Sequence, residues 1–369
     1  MYGWILRATA LVVIAAHCLA FAGCNSSSPS SGGGSGKRLI FLINTPDPFW
    51  DACRAGLVEG ATAYELEKAG LTVTMESNDG TAQGQIDKLR QYASQSDIVG
   101  VAISVIQADN VAIIEEMKNL QAKGVKIITV DGDVNTARYR DARPYYIGTN
   151  NIVAGKVLGT ATKAILGSKN VTQGGYVQFA GFTDNDNARN RMDGFKEGVG
   201  SAYTEKDRMP DETNRTRAQD NVRNAIINHS DLVAIVGIWA YNGPAVAYVM
   251  NERKLRDKLT CVSFDADADS ITQMSQGNMD CMCVQNPFEM GLMSVRLLKA
   301  MHLKDETTLK EMFPHAGQED GDIYTTGLRI VVPDADSPVK PDLFDPKVVE
   351  FMTLQQLKDW LKKYKLKSS

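Results

Sequence analysis

The sequence predicts an α/β protein of two similar halves, each a parallel sheet covered by helices on both faces. Three observations predict it. From Lys37 onward, apolar runs of strand length alternate with stretches of helical periodicity. The runs are apolar almost throughout, as in strands covered on both faces, instead of at every second position. The alternation reaches Asp131 and then starts again beyond "YYIGTNN" at similar length.

Each element has its own local reason. Strand "RLIFLIN" precedes a helix whose Cys53, Leu57, Ala61 and Tyr64 share one face, with Gly70 as its stop signal. Strand "LTVTMES" precedes a helix carrying Ile86, Leu89 and Ala93, and strand "IVGVAIS" one carrying Ile114, Met117 and Leu120, stopped at Gly124. Strand "VKIITV" then reaches Asp131. In the second half a helix from about Ile152 leads to strand "GGYVQFAG", a helix after Arg191 to strand "LVAIVGIW", and a helix from about Gly243 to strands "LTCVSFD" and "DCMCVQN". Beyond Pro333, "PDADSPVKPDLFDP" reads as proline-rich coil and "TLQQLKDWLKKYKL" as an amphipathic helix, together a strap over the body.

Composition excludes several functions. The 369 residues exceed one ordinary domain, and 43% hydrophobic with 23% charged residues is the balance of a globular protein. A net charge of −4 offers no basic excess for nucleic acid. His17, His229, His302 and His315 are scattered without metal-ligand spacing, and "CMC" supplies too few ligands for zinc, so neither a metal nor any other cofactor is expected.

Residues 1–23 read as a secretory signal: Arg7, then the apolar run "ATALVVIAAHCLAFA" ending at Gly23. Small residues before Cys24 resemble the lipobox of bacterial lipoproteins, which implies lipidation of Cys24; Phe21 departs from the usual leucine. Residues 24–36, with "NSSSPSSGGGSG", then form a flexible tether behind an anchor. Four cysteines remain in the folded part. Cys261 and Cys281 each lie four residues before a polar strand end, so a disulfide between adjacent strands is one expectation and free buried thiols the other.

In open parallel sheets ligands bind beyond the carboxyl ends of the strands. The residues there are Asn44, Asp47, Phe49 and Trp50 on a turn stiffened by Pro46 and Pro48, then Ser104, Asp131 and Asp133. The second half adds Arg191, Trp239, Tyr241, Asn242, Asp265 and Gln285. Asp is a common helix cap and a tryptophan can close a core strand, but this set outnumbers what capping needs. Carboxylates and a guanidinium make charge-assisted bonds to vicinal hydroxyls. Amides both donate and accept, and aromatic faces cover the apolar face of a sugar ring. No glycine-rich phosphate loop follows any strand. A neutral polyol is the best match.

At these residues the sequence resembles the type I periplasmic sugar-binding proteins, of the ribose- and galactose-binding kind that serve ABC importers. The resemblance covers about residues 37–333 and is carried by "TPDPFWDACRAGLVEGA", "VKIITVDGD", "YYIGTNNIVAGKVLG", "ARNRMDGFKEGV" and "CVSFDADADSITQMSQGNMDCMCVQNP", in that order. It implies two Rossmann-like lobes joined by a three-segment hinge near Thr149–Asn150, Gln285–Asn286 and Thr325–Thr326. The lobes would be 37–149 with 286–325, and 150–285 with 326–333, followed by the strap and helix 334–369. It also implies a monosaccharide, pentose or hexose, stacked on Phe49 and Trp50 beside Asp47 and bonded by Asp131, Arg191, Asp265 and Gln285. The implied partner is a membrane permease, with a monomeric protein touching the membrane through its lipid alone, on the periplasmic side of the envelope. Gly132 replaces the family's usual basic residue, Tyr241 with Asn242 its usual Asn, and "PDETNRTRAQD" lacks its aromatic, so Trp239 would supply the second ring.

Three other readings compete with this one. A sensor presenting its closed form to a receptor kinase would use the same fold. A repressor of the lactose kind needs a helix-turn-helix where the signal and tether lie. A glycosidase would pair Asp131 with Asp265, but Arg191 in the same cleft would hold both ionised, which is poor for a general acid.

Overall fold

The computed structural model describes residues 36–369; the signal, Cys24 and all but the last residue of the tether lie outside them. The first half runs β1 (Lys37–Ile43), α1 (Phe49–Ala63), β2 (Leu71–Ser77), α2 (Ala82–Ala93), β3 (Ile98–Ile103), α3 (Val111–Ala122), β4 (Lys126–Val130), α4 (Thr136–Tyr139) and β5 (Tyr146–Gly148). The second runs α5 (Asn151–Ser168), β6 (Gly174–Ala180), α6 (Asp186–Val199), β7 (Tyr203–Pro210), α7 (Arg215–Asn228), β8 (Leu232–Gly237), α8 (Asn242–Glu252), β9 (Thr260–Phe264), α9 (Ala268–Ser275) and β10 (Cys281–Val284). Then come α10 (Pro287–Leu303), α11 (Glu306–Met312), β11 (Ile323–Thr325), β12 (Leu328–Val332), β13 (Val349–Thr353) and α12 (Leu354–Lys363).

Two sheets result, ordered β11-β5-β4-β3-β1-β2 and β13-β12-β10-β9-β8-β6-β7. Every pairing is parallel except β10 with β12. Within each sheet the strand order reverses beside the half's opening strand, β1 or β6, which leaves a crevice at the carboxyl ends. Apolar clusters cover both faces of both sheets: Leu39, Phe41 and Ile128 on one face of the first, Ile40, Leu42 and Ile127 on the other. That burial explains why the strands read as continuous apolar runs.

The chain crosses between the lobes three times, through Thr149–Asn150, through Gln285–Asn286 and between Thr325 and Leu328. The crossings are laced together. Thr326 N–H donates to the Gly148 carbonyl at 2.8 Å, and the Thr149 hydroxyl to Gln285 Oε1 at 2.9 Å.

Three expectations change. An additional strand and helix, β7 and α7, stand between α6 and β8; β7 is the sheet's edge and carries Glu205, Lys206, Asp207 and Arg208, so no apolar run announces it. The tail is more than coil and helix, because β13 pairs in parallel with β12 and extends the second sheet. The Cys261–Cys281 pairing does not form: all four folded cysteines are free and buried. The β9–β10 register sets Cys281 opposite Val262, and that one-residue offset turns Cys261 to one face of the sheet and Cys281 to the other. Burial pushes the Cys261 thiol up to about 12, leaving it protonated.

Candidate functional site

The carboxyl ends of both sheets face one cleft of about 440 Å³. The turn after β1 brings Asn44, Asp47, Phe49 and Trp50 to it. Asp47 Oδ1 accepts the Phe49 N–H at 2.9 Å and the Asp47 carbonyl accepts the Trp50 N–H at 3.0 Å, so this residue opens α1 as well as lining the cleft. Its two rings divide the work. Trp50 is 3% exposed and packs edge-on against Phe41, 5.8 Å between centroids, while Phe49 stands half-buried above it at 4.9 Å. Phe49 is the accessible ring, and Trp50 is its footing in the core.

Asp131 and Asp265 are equivalent devices in the two lobes. Each directly follows a buried strand, β4 or β9, and each has a left-handed backbone, φ 61° and 60°. Non-glycine residues adopt this region uncommonly, and here it turns each carboxylate into the cleft. Arg191, on α6, lies between them. Its Nη1 is 3.7 Å from Asp265 Oδ2, its Nε donates to Asn151 Oδ1 at 2.8 Å, its Nη1 donates to the Ile238 carbonyl at 3.2 Å, and it lies over the Phe264 ring at 4.8 Å. Gln285 Nε2 donates to Asp265 at 3.2 Å while its Oε1 accepts from Thr149, so a hinge residue holds a site carboxylate.

Burial raises the Asp131 carboxyl to about 6, against the opposing pull of Arg191 and the Ser104 hydroxyl; Asp265 adds to the rise. Asp265 is raised too, by burial, with Arg191 and Gln285 resisting. Arg191 favours the ionised form of both carboxyls, the direction expected from the sequence, but does not offset burial, so both lie above their ordinary values. At neutral pH, Asp131 remains mostly ionised and acts as an acceptor.

Trp239, Tyr241, Asp265, Gln285 and Arg191 complete the expected residues that line the cleft. Three others do not line it. Asp133 turns under the sheet, where it accepts from Thr129 at 2.6 Å and from the fully buried Arg143 at 2.6 Å, beside Asp322. Asn242 is fully buried, accepting the Trp239 N–H at 3.0 Å and donating to Asp211 at 2.7 Å. Ser104 reaches the site only through Asp131, 3.4 Å away. The replacement at Gly132 also has a reason: a Cβ there would stand 2.5 Å from the Val105 carbonyl oxygen, so no side chain fits.

Sequence reasoning missed Thr45, Asn185, Asn187, Thr213, Arg215 and Ala240 in the lining. Asn187 precedes Arg191 by one helical turn, a spacing that places both on one face of α6. Its Nδ2 donates across the cleft to the Asp131 carbonyl at 3.3 Å, and Asn151 Nδ2 donates to its Oδ1 at 3.1 Å. Asp211, also unforeseen, accepts from the Tyr241 hydroxyl and fixes that ring.

A cleft built from the strand ends of two hinged α/β lobes defines a two-lobed solute receptor. The chain belongs to the periplasmic binding protein family: the profile of the periplasmic binding protein domain matches residues 39–306, and the architecture is the type I fold. It is similar to an ABC transporter solute-binding protein from Burkholderia graminis C4D1M in complex with D-arabinose, at 25% identity and TM-score 0.67 over 80% of this chain and 95% of that one. In fold it is similar to GanP, a glucose-galactose binding protein from Geobacillus stearothermophilus (18% identity, TM-score 0.65, 80% and 97% covered). The same holds for a sugar-binding protein of a sugar ABC transporter from Bacillus halodurans (20% identity, TM-score 0.66, 80% and 97% covered). A comparison with curated proteins finds no match. Among the described residues no helix is long and apolar enough to cross a membrane.

Proposed function

We propose that this is an extracytoplasmic solute-binding lipoprotein. It captures a pentose or hexose ring between two closing lobes and delivers it to an ABC transporter permease. The observation that carries this reading is the composition of the cleft: one acceptor carboxylate from each lobe, the Arg191 guanidinium between them, the Gln285 amide at the hinge, and Phe49 and Trp239 as rings. Sugar hydroxyls match these acceptors and donors, and the ring faces match the aromatics. The B. graminis relative with its D-arabinose supports the ligand class.

The moving bodies are the lobes 37–149 with 286–325 and 150–285 with 326–333, the tail 334–369 riding on the second. Ligand contacts drawn from both lobes favour the closed state, which the permease reads. Lipidation of Cys24 anchors the protein outside the cytoplasm through the tether.

The test is a thermal-shift screen against pentoses, hexoses, polyols, disaccharides and nucleosides. At a hundred times its dissociation constant a ligand stabilises by about 2.7 kcal/mol, a shift of several degrees. One sugar standing clear of its epimers supports the reading; a flat panel on folded protein removes the sugar assignment.

A further inference from the structure

The cleft wall of the second lobe carries more than one ring needs. Phe182, Trp239 and Tyr241 stand in file, with centroids 6.1 Å and 6.4 Å apart and edge-to-face at each step. Trp239 and Tyr241 line the cleft; Phe182, beside them, is 42% exposed. The file is built in place. Gly181 lets the Trp239 indole lie directly on the backbone, since a Cβ there would overlap the indole and meet the Tyr241 hydroxyl. The buried Asp211 carboxylate holds that same hydroxyl and the Asn242 amide, and Asn242 holds the Trp239 N–H.

The loop that follows is held in an uncommon shape against this wall. Glu212 and Thr213 both have left-handed backbones, φ 54° and 63°, and a β-branched residue seldom adopts it. The Asp211 carboxylate accepts the Thr213 N–H at 2.9 Å, and the Glu212 N–H donates to the Gly181 carbonyl at 2.8 Å. The result sets Thr213 and Arg215 in the lining, with Arg215 over the Tyr241 ring at 5.5 Å. Arg215 makes no hydrogen bond or ion pair among the described residues, unlike Arg191, whose Nε and Nη1 are bonded to protein.

The cleft thus holds two sets of groups. The inner set is Asp131, Arg191, Asp265 and Gln285, of which the last three are buried and linked to one another through Asp265, and it serves the hydroxyls of one ring. The outer set is aromatic and half-exposed, with free guanidinium donors. We infer that Phe182, beyond Trp239, is the platform of a second subsite that takes the second ring of a disaccharide whose first ring lies on the inner set between Phe49 and Trp239. A second pyranose laid on the exposed Phe182 ring has an apolar surface beneath it one ring spacing, 6.1 Å, from Trp239. The cleft volume of about 440 Å³ lies among pockets that hold ligands larger than one sugar ring. This inference rests on the sugar-binding reading and adds the length of the ligand to it.

The test is calorimetric titration of the full chain with glucose, galactose, xylose and arabinose, and with cellobiose, lactose, maltose, melibiose and xylobiose. One disaccharide is expected to bind at least about tenfold more tightly than either of its component sugars, the worth of one good ring contact. Phe182→Ala is expected to bring that ratio to about one, and Phe182→Leu, which keeps bulk but loses the ring, to lower it in part; the side chain is exposed enough that both variants should melt near the parent. A monosaccharide that binds as tightly as every disaccharide overturns the second subsite and leaves sugar binding standing. So does a disaccharide advantage untouched by both variants, which would place the second ring away from Phe182. Failure of every sugar to bind folded protein overturns both readings.

Discussion

Asp131 carries the sharpest expectation about a single side chain. Burial pushes its carboxyl up to about 6. Sugar hydroxyls donate to the ionised form, so affinity should hold above neutral pH and fall about tenfold from pH 7 to pH 5. Asp131→Asn should bind weakly and lose most of that pH dependence; a titration series across this range checks both. Stability runs the other way. The folded carboxyl binds its proton more tightly than the unfolded one, whose ordinary value is 3.8, so between these two values the protein without sugar gains stability from this group as pH falls. The aromatic pair separates similarly. Phe49→Ala should weaken sugar binding by about 1–2 kcal/mol with little change in melting, whereas Trp50→Ala should cost about 3–5 kcal/mol of stability, since Trp50 is core. Asp131 and Asp265 were legible in the sequence because each ends an apolar run. Asp133, two residues on, looked the same; only the backbone turn at Asp131 sends it below the sheet to Arg143.

The elements that frame the cleft were legible wherever burial on both faces made a strand apolar. They were illegible where a strand is an edge, as with the charged β7, or where register decides facing, as with Cys261 and Cys281. The loop from Asp211 to Asn214 had no readable signature either, since its shape comes from side-chain bonds to Asp211 and not from glycine or proline. Helix α6 gives the clearest prediction about an element. Through Asn187 it reaches over the cleft to the Asp131 carbonyl, and through Asn151 the same amide is tied to Arg191 and the first hinge crossing. Asn187→Ala removes the bond between lobes. Without sugar, the variant should show a larger radius of gyration by small-angle scattering, and its sugar affinity should fall about fivefold, the worth of one hydrogen bond near 1 kcal/mol. An unchanged radius would mean that the bond does not bias the lobes.

The tail ties the molecule together across the hinge. Leu354, Leu357 and Leu361 of α12 are buried in the second lobe's core. Trp360 and Tyr364 pack on Phe288 in the first turn of α10, with centroids 5.8 Å and 4.5 Å away. The chain's last residue pairs with the neighbour of a site carboxylate: Ser369 and Ala266 exchange backbone hydrogen bonds of 3.1 Å and 2.9 Å. Removing residues 354–369 should therefore lower stability by about 3–5 kcal/mol, given about 1.5–3 kcal/mol for each buried leucine before the ordering entropy of the helix is subtracted. Chemical denaturation of the truncated chain checks it. The central claim is that two hinged lobes close on a sugar in this cleft, and the most direct measurement is a crystal structure with the best sugar of the screen. The account predicts one sugar ring between Phe49 and Trp239, with hydroxyls on Asp131, Asp265 and Arg191. Sugar bound elsewhere on the surface, with those three side chains still bonded only to protein, would contradict it.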